Sequence, residues 1–184
     1  YKRQYQDWVN HPEQNGDFLP KRMGLRIGYK DISVTDYEKV LATNRPLPKL
    51  DGMSCVVGVD YAELSDWAAV DLHFRRGDER YDINHAWLCL QSKTLSRVKP
   101  PWREWEKQGY LTVVDDVSIH PDLLADYIRR AAQTYNVKLL AMDHYRWTLV
   151  AESMRRAGFD AADKTRVKLV RPSDIMAVDP VIQE

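Results

Sequence analysis

The stretch CVVGVDYAELSDWAAVDL, residues 55–72, decides how this chain is read. Its opening, Cys55-Val56-Val57-Gly58-Val59, is a near-continuous apolar run of the kind found in a strand covered on both faces of a sheet. The run ends on Asp60. An unpaired carboxylate is expensive to bury, so Asp60 belongs where the strand leaves the sheet, the place where open α/β sheets gather their ligands. Trp67 to Phe74 then alternates apolar and polar residues, which predicts a second, half-exposed strand.

Working outward, Asp82 to Leu90 alternates in the same way and is joined to the second strand by RRGDER, with Gly77-Asp78 at the hairpin turn. A helix is expected from Pro101 to Gln108, stopped by Gly109, and a short strand over Tyr110–Val114. The next helix is expected to begin near Ser118, capped by Ser118 or Asp122. Its buried stripe would be Leu123, Leu124, Tyr127, Ile128, Ala131 and Ala132. Val137–Met142 reads as a strand that ends in Asp143, Trp147–Ala157 as a helix stopped at Gly158, Arg166–Val170 as a last strand and Pro172–Val178 as a last helix. A meander followed by alternating helices and strands describes a mixed α/β sheet with its first strand central.

Upstream, residues 1–50 read as an irregular, partly helical lead-in. Thr35-Asp36-Tyr37-Glu38 opens a short helix with an N-cap pattern, and Asn44-Arg45-Pro46-Leu47-Pro48 forms an extended connector because proline disfavours helix at and before itself. The compact domain is expected over 51–184. At 184 residues, 44% apolar and 29% charged, the chain has the composition of a globular domain able to bury a core. No apolar run approaches the roughly 20 residues that span a bilayer, which gives the expectation of no membrane partner. The start, Tyr1-Lys2-Arg3-Gln4, has neither an initiator Met nor a signal-peptide core, as expected of a piece of a longer cytosolic polypeptide. Cys55 and Cys89 lie in apolar strands without metal spacing and read as buried free thiols. Formal charge is zero, but it is unevenly spread. Residues 51–90 hold eight acids and three bases, a net of −5, and residues 146–171 hold seven bases and three acids, a net of +4. An acidic zone beside a basic one suits a site that collects cations while its rim meets a polyanion.

The chemistry concentrates at two strand ends. Val-Gly-Val-Asp60 and Leu-Ala-Met-Asp143 have the same form, and on neighbouring parallel strands the two aspartates would meet at one sheet edge. Two carboxylates held together resist joint ionisation, a conflict that Mg²⁺ or Mn²⁺ removes by accepting oxygen ligands and completing its shell with water and phosphate. Asp66 lies close enough to fold back beside Asp60, although by spacing alone an Asx turn or a strand-start cap is the better account of it. Glu63 reads as a solvent-facing loop residue. His73 and His85 stand on strands with no carboxylate or cysteine at ligand spacing, His120 leads into a helix, and His144 adjoins Asp143. There is no glycine elbow around Ser153 or Ser173 and no G-x-x-x-x-G-K-[ST], so a hydrolase triad and a P-loop are both unsupported.

These segments together resemble a known family. CVVGVDYAELSDWAAVDL, GYLTVVDDVSIHPDLLADYIRRAAQTYNVKLLAMDHYRW, MRRAGF and VKLVRPSDIM, in that order and spacing, are similar to the C-terminal nuclease domain of the large terminase subunit of tailed bacteriophages and prophages. The resemblance runs from about Asp51 to the end, and residues 1–50 resemble the segment that follows the packaging ATPase domain of the same polypeptide. It implies an RNase H-like fold, a mixed sheet with helices on both faces, and an endonuclease that cuts concatemeric double-stranded DNA during genome packaging.

The same resemblance implies two Mg²⁺ or Mn²⁺ ions, with Asp60 bridging both and Asp143 and Asp66 each holding one. A further family acid comes from a C-terminal element whose context Asp174 and Asp179 do not match, so the domain is expected to be truncated there and the fragment's own activity is in question. Arg146, Arg155, Arg156, Lys164, Arg166 and Lys168 are the expected contacts to the DNA backbone, which position without reading sequence. The implied partners are portal protein and small terminase subunit, in the cytoplasm of an infected or lysogenic host. The competing readings are a non-catalytic module that docks on portal or small subunit, and another RNase H-like polynucleotidyl transferase such as a resolvase or transposase.

Overall fold

The computed structural model describes residues 5, 6, 9, 10, 36–62, 67–91, 95 and 101–174. Two compact units are formed, by residues 1–46 and 47–184. In the first, helix α1 (Tyr37–Ala42) starts after Asp36, whose backbone is extended but whose side chain makes no capping bond.

Among its described residues the second unit has six strands: β1 (Ser54–Asp60), β2 (Trp67–Arg76), β3 (Glu79–Cys89), β4 (Leu111–Val114), β5 (Asn136–Asp143) and β6 (Val167–Val170). They form one sheet in the order β4-β3-β2-β1-β5-β6. Only the β1–β2 and β2–β3 pairings are antiparallel, so β2 runs against the other five. The first strand is interior, as the sequence predicts, and the architecture is an RNase H-like mixed α/β sheet. The connections carry α2 (Trp102–Lys107), α3 (Pro121–Thr134) and α4 (Trp147–Arg156).

Alternation along the strands separates two faces. Cys55, Val57 and Val59 of β1, Val70 and Leu72 of β2, and Leu140 and Met142 of β5 join Leu124 and Ile128 of α3 and Val150 and Met154 of α4 in one core cluster. Ile128 is fully shielded, and truncating such a residue to alanine costs about 2–5 kcal/mol. The opposite face bears Val56, Gly58 and Asp60, of which Val56 and Asp60 are exposed. The apolar run 55–59 is therefore covered on one side only along its described surroundings. Helix α2 takes the other face at the β2 corner, where Trp105 meets Trp67 edge to face at 6.5 Å.

Strand β5 carries an irregularity with consequences for the site. Cys55 pairs with Val137 but Val56 pairs with Leu139, which leaves Lys138 as an extra residue. A one-residue shift exchanges the faces of everything beyond it. Val137 and Leu140 consequently both enter the core, and Ala141, opposite Gly58, points to the same side as Asp143.

Several predicted boundaries shift. Helix α3 begins at Pro121 rather than near Ser118, and its cap is His120, whose Nδ1 accepts from the Asp122 N–H at 3.3 Å. Its buried positions are Leu124, Ala125, Ile128 and Ala131, while Ala132 is exposed. Asp122 instead turns outward to pair with Arg156, tying α3 to α4. Its carboxyl is held below the usual range by a hydrogen bond with Ser153 and by the Arg156 guanidinium. Both cysteines are buried and free, and burial pushes the Cys55 thiol up to about 11. Of the last predicted helix, 172–174 are helical and 175–178 lie outside the described residues. Among the described residues no helix is long and apolar enough to cross a membrane.

Candidate functional site

β1 and β5 are parallel neighbours, and Val59 pairs with Met142, so the next residue on each strand is an aspartate: Asp60 and Asp143. Both are exposed, and both line one cavity of about 430 Å³. Small residues, Gly58, Ala69 and Ala141, line it, together with Val170 at the end of β6 and Arg171 and Pro172 just beyond. Small residues on three adjacent strands are what leave room between the acids.

The loops that follow the two aspartates are fixed to each other. Asp143 Oδ1 accepts from the Tyr145 N–H at 2.8 Å, capping the 3₁₀ turn His144–Arg146. Arg146 then donates through Nη1 to the Tyr61 carbonyl at 2.6 Å, and the Tyr61 hydroxyl donates to the Ile119 carbonyl at 2.6 Å. Residues directly beyond Asp60 and Asp143 are thus pinned by charged and buried hydrogen bonds, which fixes the strand ends that carry the acids. Asp66 lies outside the described residues.

Asp71 was not singled out by its sequence context, yet it lines the same cavity from β2, opposite Gly58. Its Oδ1 is buried and has no hydrogen-bond partner among the described residues. Burial pushes its carboxyl above the usual range and Asp82 adds to the rise, while His73 opposes it. Two residues along β2, His73 faces Asp82 of β3, with Nδ1 2.6 Å from Asp82 Oδ1. Asp71, His73 and Asp82 could hold a metal ion, since each offers a ligand atom within 4.8 Å of the others. The expectation that His73 has no carboxylate partner is therefore wrong, because the partner comes across the hairpin rather than along the strand. The predicted turn at Gly77-Asp78 already implied it: a two-residue turn sets 76 against 79 and, three steps on, 73 against 82.

The basic residues spread over several surroundings. Lys168 pairs in register with Ala141, hence on the cavity side, and its Nζ is 3.5 Å from Asp174. Arg166 donates to the Gly158 carbonyl and its guanidinium lies over the Phe159 ring. Lys164 donates to the Ala161 carbonyl. Arg155 pairs with Glu152 and Asp160, and Arg156 with Asp122 and Glu152, at the C-terminal end of α4. Arg171, outside the predicted set, lines the cavity itself. Asp174 accepts from the Arg171 N–H at 2.9 Å, which also lowers its pKa, so its described role is to cap the turn after β6. Asp179 lies outside the described residues.

No protein-family model matches the chain, and no curated protein does. Among solved structures, the crystal structure of the HK97 bacteriophage large terminase aligns with 98% of this chain at a TM-score of 0.63 and 17% identity. The chain corresponds to 38% of that protein's length, and at this identity the likeness is one of fold.

Proposed function

We propose that this chain is a metal-dependent DNA-cutting domain of a phage packaging terminase, with Asp60 and Asp143 at its reaction centre. The observation that carries the reading is the convergence of these two aspartates at the adjoining ends of β1 and β5 over one cavity. The likeness of fold to a phage large terminase supports it.

The donor set fits divalent cations. Both carboxylates are exposed toward the cavity, and neither is ion-paired with a lysine or arginine among the described residues. Oxygen donors of this kind suit Mg²⁺ or Mn²⁺. When bound, such ions supply the positive charge that polarises a phosphodiester and favours attack by water.

The chain's own residues do the positioning. Asp60 is held by the interior strand of the sheet, and Asp143 commits one oxygen to the Tyr145 N–H, leaving Oδ2 for the site. Arg146 ties the two following loops together through Tyr61. Arg171, which lines the cavity, and Lys168, on the same side of β6, are the first proposed phosphate contacts, with Arg146, Arg155, Arg156, Lys164 and Arg166 as further proposed contacts to the DNA backbone. Asp66 is retained as a further ligand. Double-stranded DNA is the proposed substrate, with portal protein, small terminase subunit and an ATPase domain as the proposed partners in the host cytoplasm.

The test is Mn²⁺-dependent nicking of supercoiled plasmid. Asp60→Asn should abolish nicking while leaving the circular dichroism and melting temperature within error of wild type. Retained nicking in that variant would remove Asp60 from the mechanism and the reading with it.

A further inference from the structure

The β2–β3 hairpin carries a group of side chains that the cutting site above does not use. Asp71 and His73 are two residues apart on one face of β2, and Asp82 stands opposite His73 on β3. Their three ligand atoms lie within 4.8 Å of one another. The group is not solely acidic, because the imidazole offers a nitrogen ligand between two carboxylates. A separate observation points to a missing partner: Asp71 Oδ1 is shielded from solvent yet accepts no hydrogen bond among the described residues. A buried acceptor left unmade costs free energy. No described lysine or arginine pairs with either carboxylate; the ion pair of Asp82 is with His73, itself a member of the group.

We propose that Asp71, His73 and Asp82 bind a divalent first-row transition cation, at a site distinct from Asp60 and Asp143. Such an ion gives the buried Asp71 oxygen a partner, offsets the repulsion between two carboxylates held close together, and accepts the imidazole nitrogen. The nitrogen sets the class of ion. Mg²⁺ is content with an oxygen shell and rich in water, whereas imidazole ligation favours the transition ions. The two paired strands hold the three ligand atoms within 4.8 Å of one another before the ion arrives. Since Asp71 also lines the cavity between Asp60 and Asp143, an ion here would place positive charge beside any anion that enters it.

The experiment is a Mn²⁺ titration of the protein followed by the ring-proton signals of its histidines in NMR. His73 reports the hairpin site, His144 reports the Asp60–Asp143 edge, and His120, which caps α3, serves as the reference. Paramagnetic broadening of His73 should set in at a Mn²⁺ concentration at least about tenfold below that needed for His120, and it should persist in the Asp60→Asn/Asp143→Asn double variant. Asp71→Asn and the surface variant Asp82→Asn should each raise that concentration by about tenfold or more with unchanged circular dichroism, and equimolar Mg²⁺ should not restore the signal. Broadening of His73 no earlier than His120, or its loss in the double variant, overturns the proposal. Broadening of His73 without that of His144 leaves this site standing and counts against the cutting site.

Discussion

Gly58 and Asp71 face each other across the β1–β2 pair, and a Cβ added at position 58 would lie 3.8 Å from the Asp71 Cβ. That is ordinary contact, and Gly58 sits in a strand without the positive φ that marks Gly52, Gly77, Gly109 and Gly158. Its backbone therefore has no need of glycine, and the space above it belongs to the cavity. Gly58→Ala should raise stability by about 0.5–1 kcal/mol, the amount by which glycine weakens a strand interior. Urea denaturation measures it, and a loss of more than about 1 kcal/mol would show that the cavity lining is tighter than the structure has it. A bulkier Gly58→Val should retain the fold but reduce Mn²⁺-dependent nicking, because its side chain enters the space between the acids.

Asp143 has two tasks that substitution can separate. It caps the 3₁₀ turn through the Tyr145 N–H, and its charge faces the cavity. Asn keeps a carbonyl oxygen for the cap and removes only the charge, so Asp143→Asn should melt close to wild type while losing nicking. Ala removes both, and Asp143→Ala should lose about 1 kcal/mol of stability in addition. Equal stabilities for the two variants in chemical denaturation would remove the cap from the account.

The strand-end aspartates and the central strand were legible because they depend on local pattern: an apolar run, then a charge. The remainder of the site depends on register between strands: the Gly77-Asp78 turn carries it for His73 and Asp82, but no local pattern sets Asp71 against Gly58. Asp71 looks like any outward residue of an alternating strand until Gly58 is set opposite it, and Asp82 meets His73 only through the hairpin. The extra residue at Lys138, which turns Ala141 to the cavity side, leaves no signature in a run as uniformly apolar as Leu139-Leu140-Ala141-Met142. The cap of α3 was misplaced for a different reason. Ser118 and Asp122 are the better capping residues by propensity, but Pro121 fixes the first turn and brings the ring nitrogen of His120 within reach of the Asp122 N–H.

Arg171 offers a test of how DNA would be held. It lines the cavity beside the acids. Arg171→Ala should weaken binding of duplex DNA uniformly across sequences and reduce the slope of log affinity against log salt by about one, as expected for the loss of a single phosphate contact. Filter binding or fluorescence anisotropy over a range of salt concentrations measures the slope. An unchanged slope would place the phosphate path elsewhere on the basic zone.

His85 gives the fold a pH dependence whose sign follows from its surroundings. Its ring stacks on Tyr127 of α3 at 5.2 Å and shares a 2.9 Å hydrogen bond with Thr112 of β4 through Nε2. Burial, which disfavours the charged imidazolium, pushes its pKa below the ordinary 6.5; the nearby Arg130 adds to this, and a backbone hydrogen bond at Gly109 opposes it. The folded state therefore binds the proton less readily than the unfolded chain. The stability that neutral His85 contributes is fully present above pH 6.5 and declines as pH falls through the unfolded value toward the lower folded one, with no further loss from this group below that. His85→Gln, which can still reach Thr112 but does not ionise, should flatten this segment of the stability–pH curve, which begins near pH 6.5 and extends below it. Urea midpoints of both proteins across that window decide it: parallel curves would mean that His85 is already free to take up its proton in the folded state.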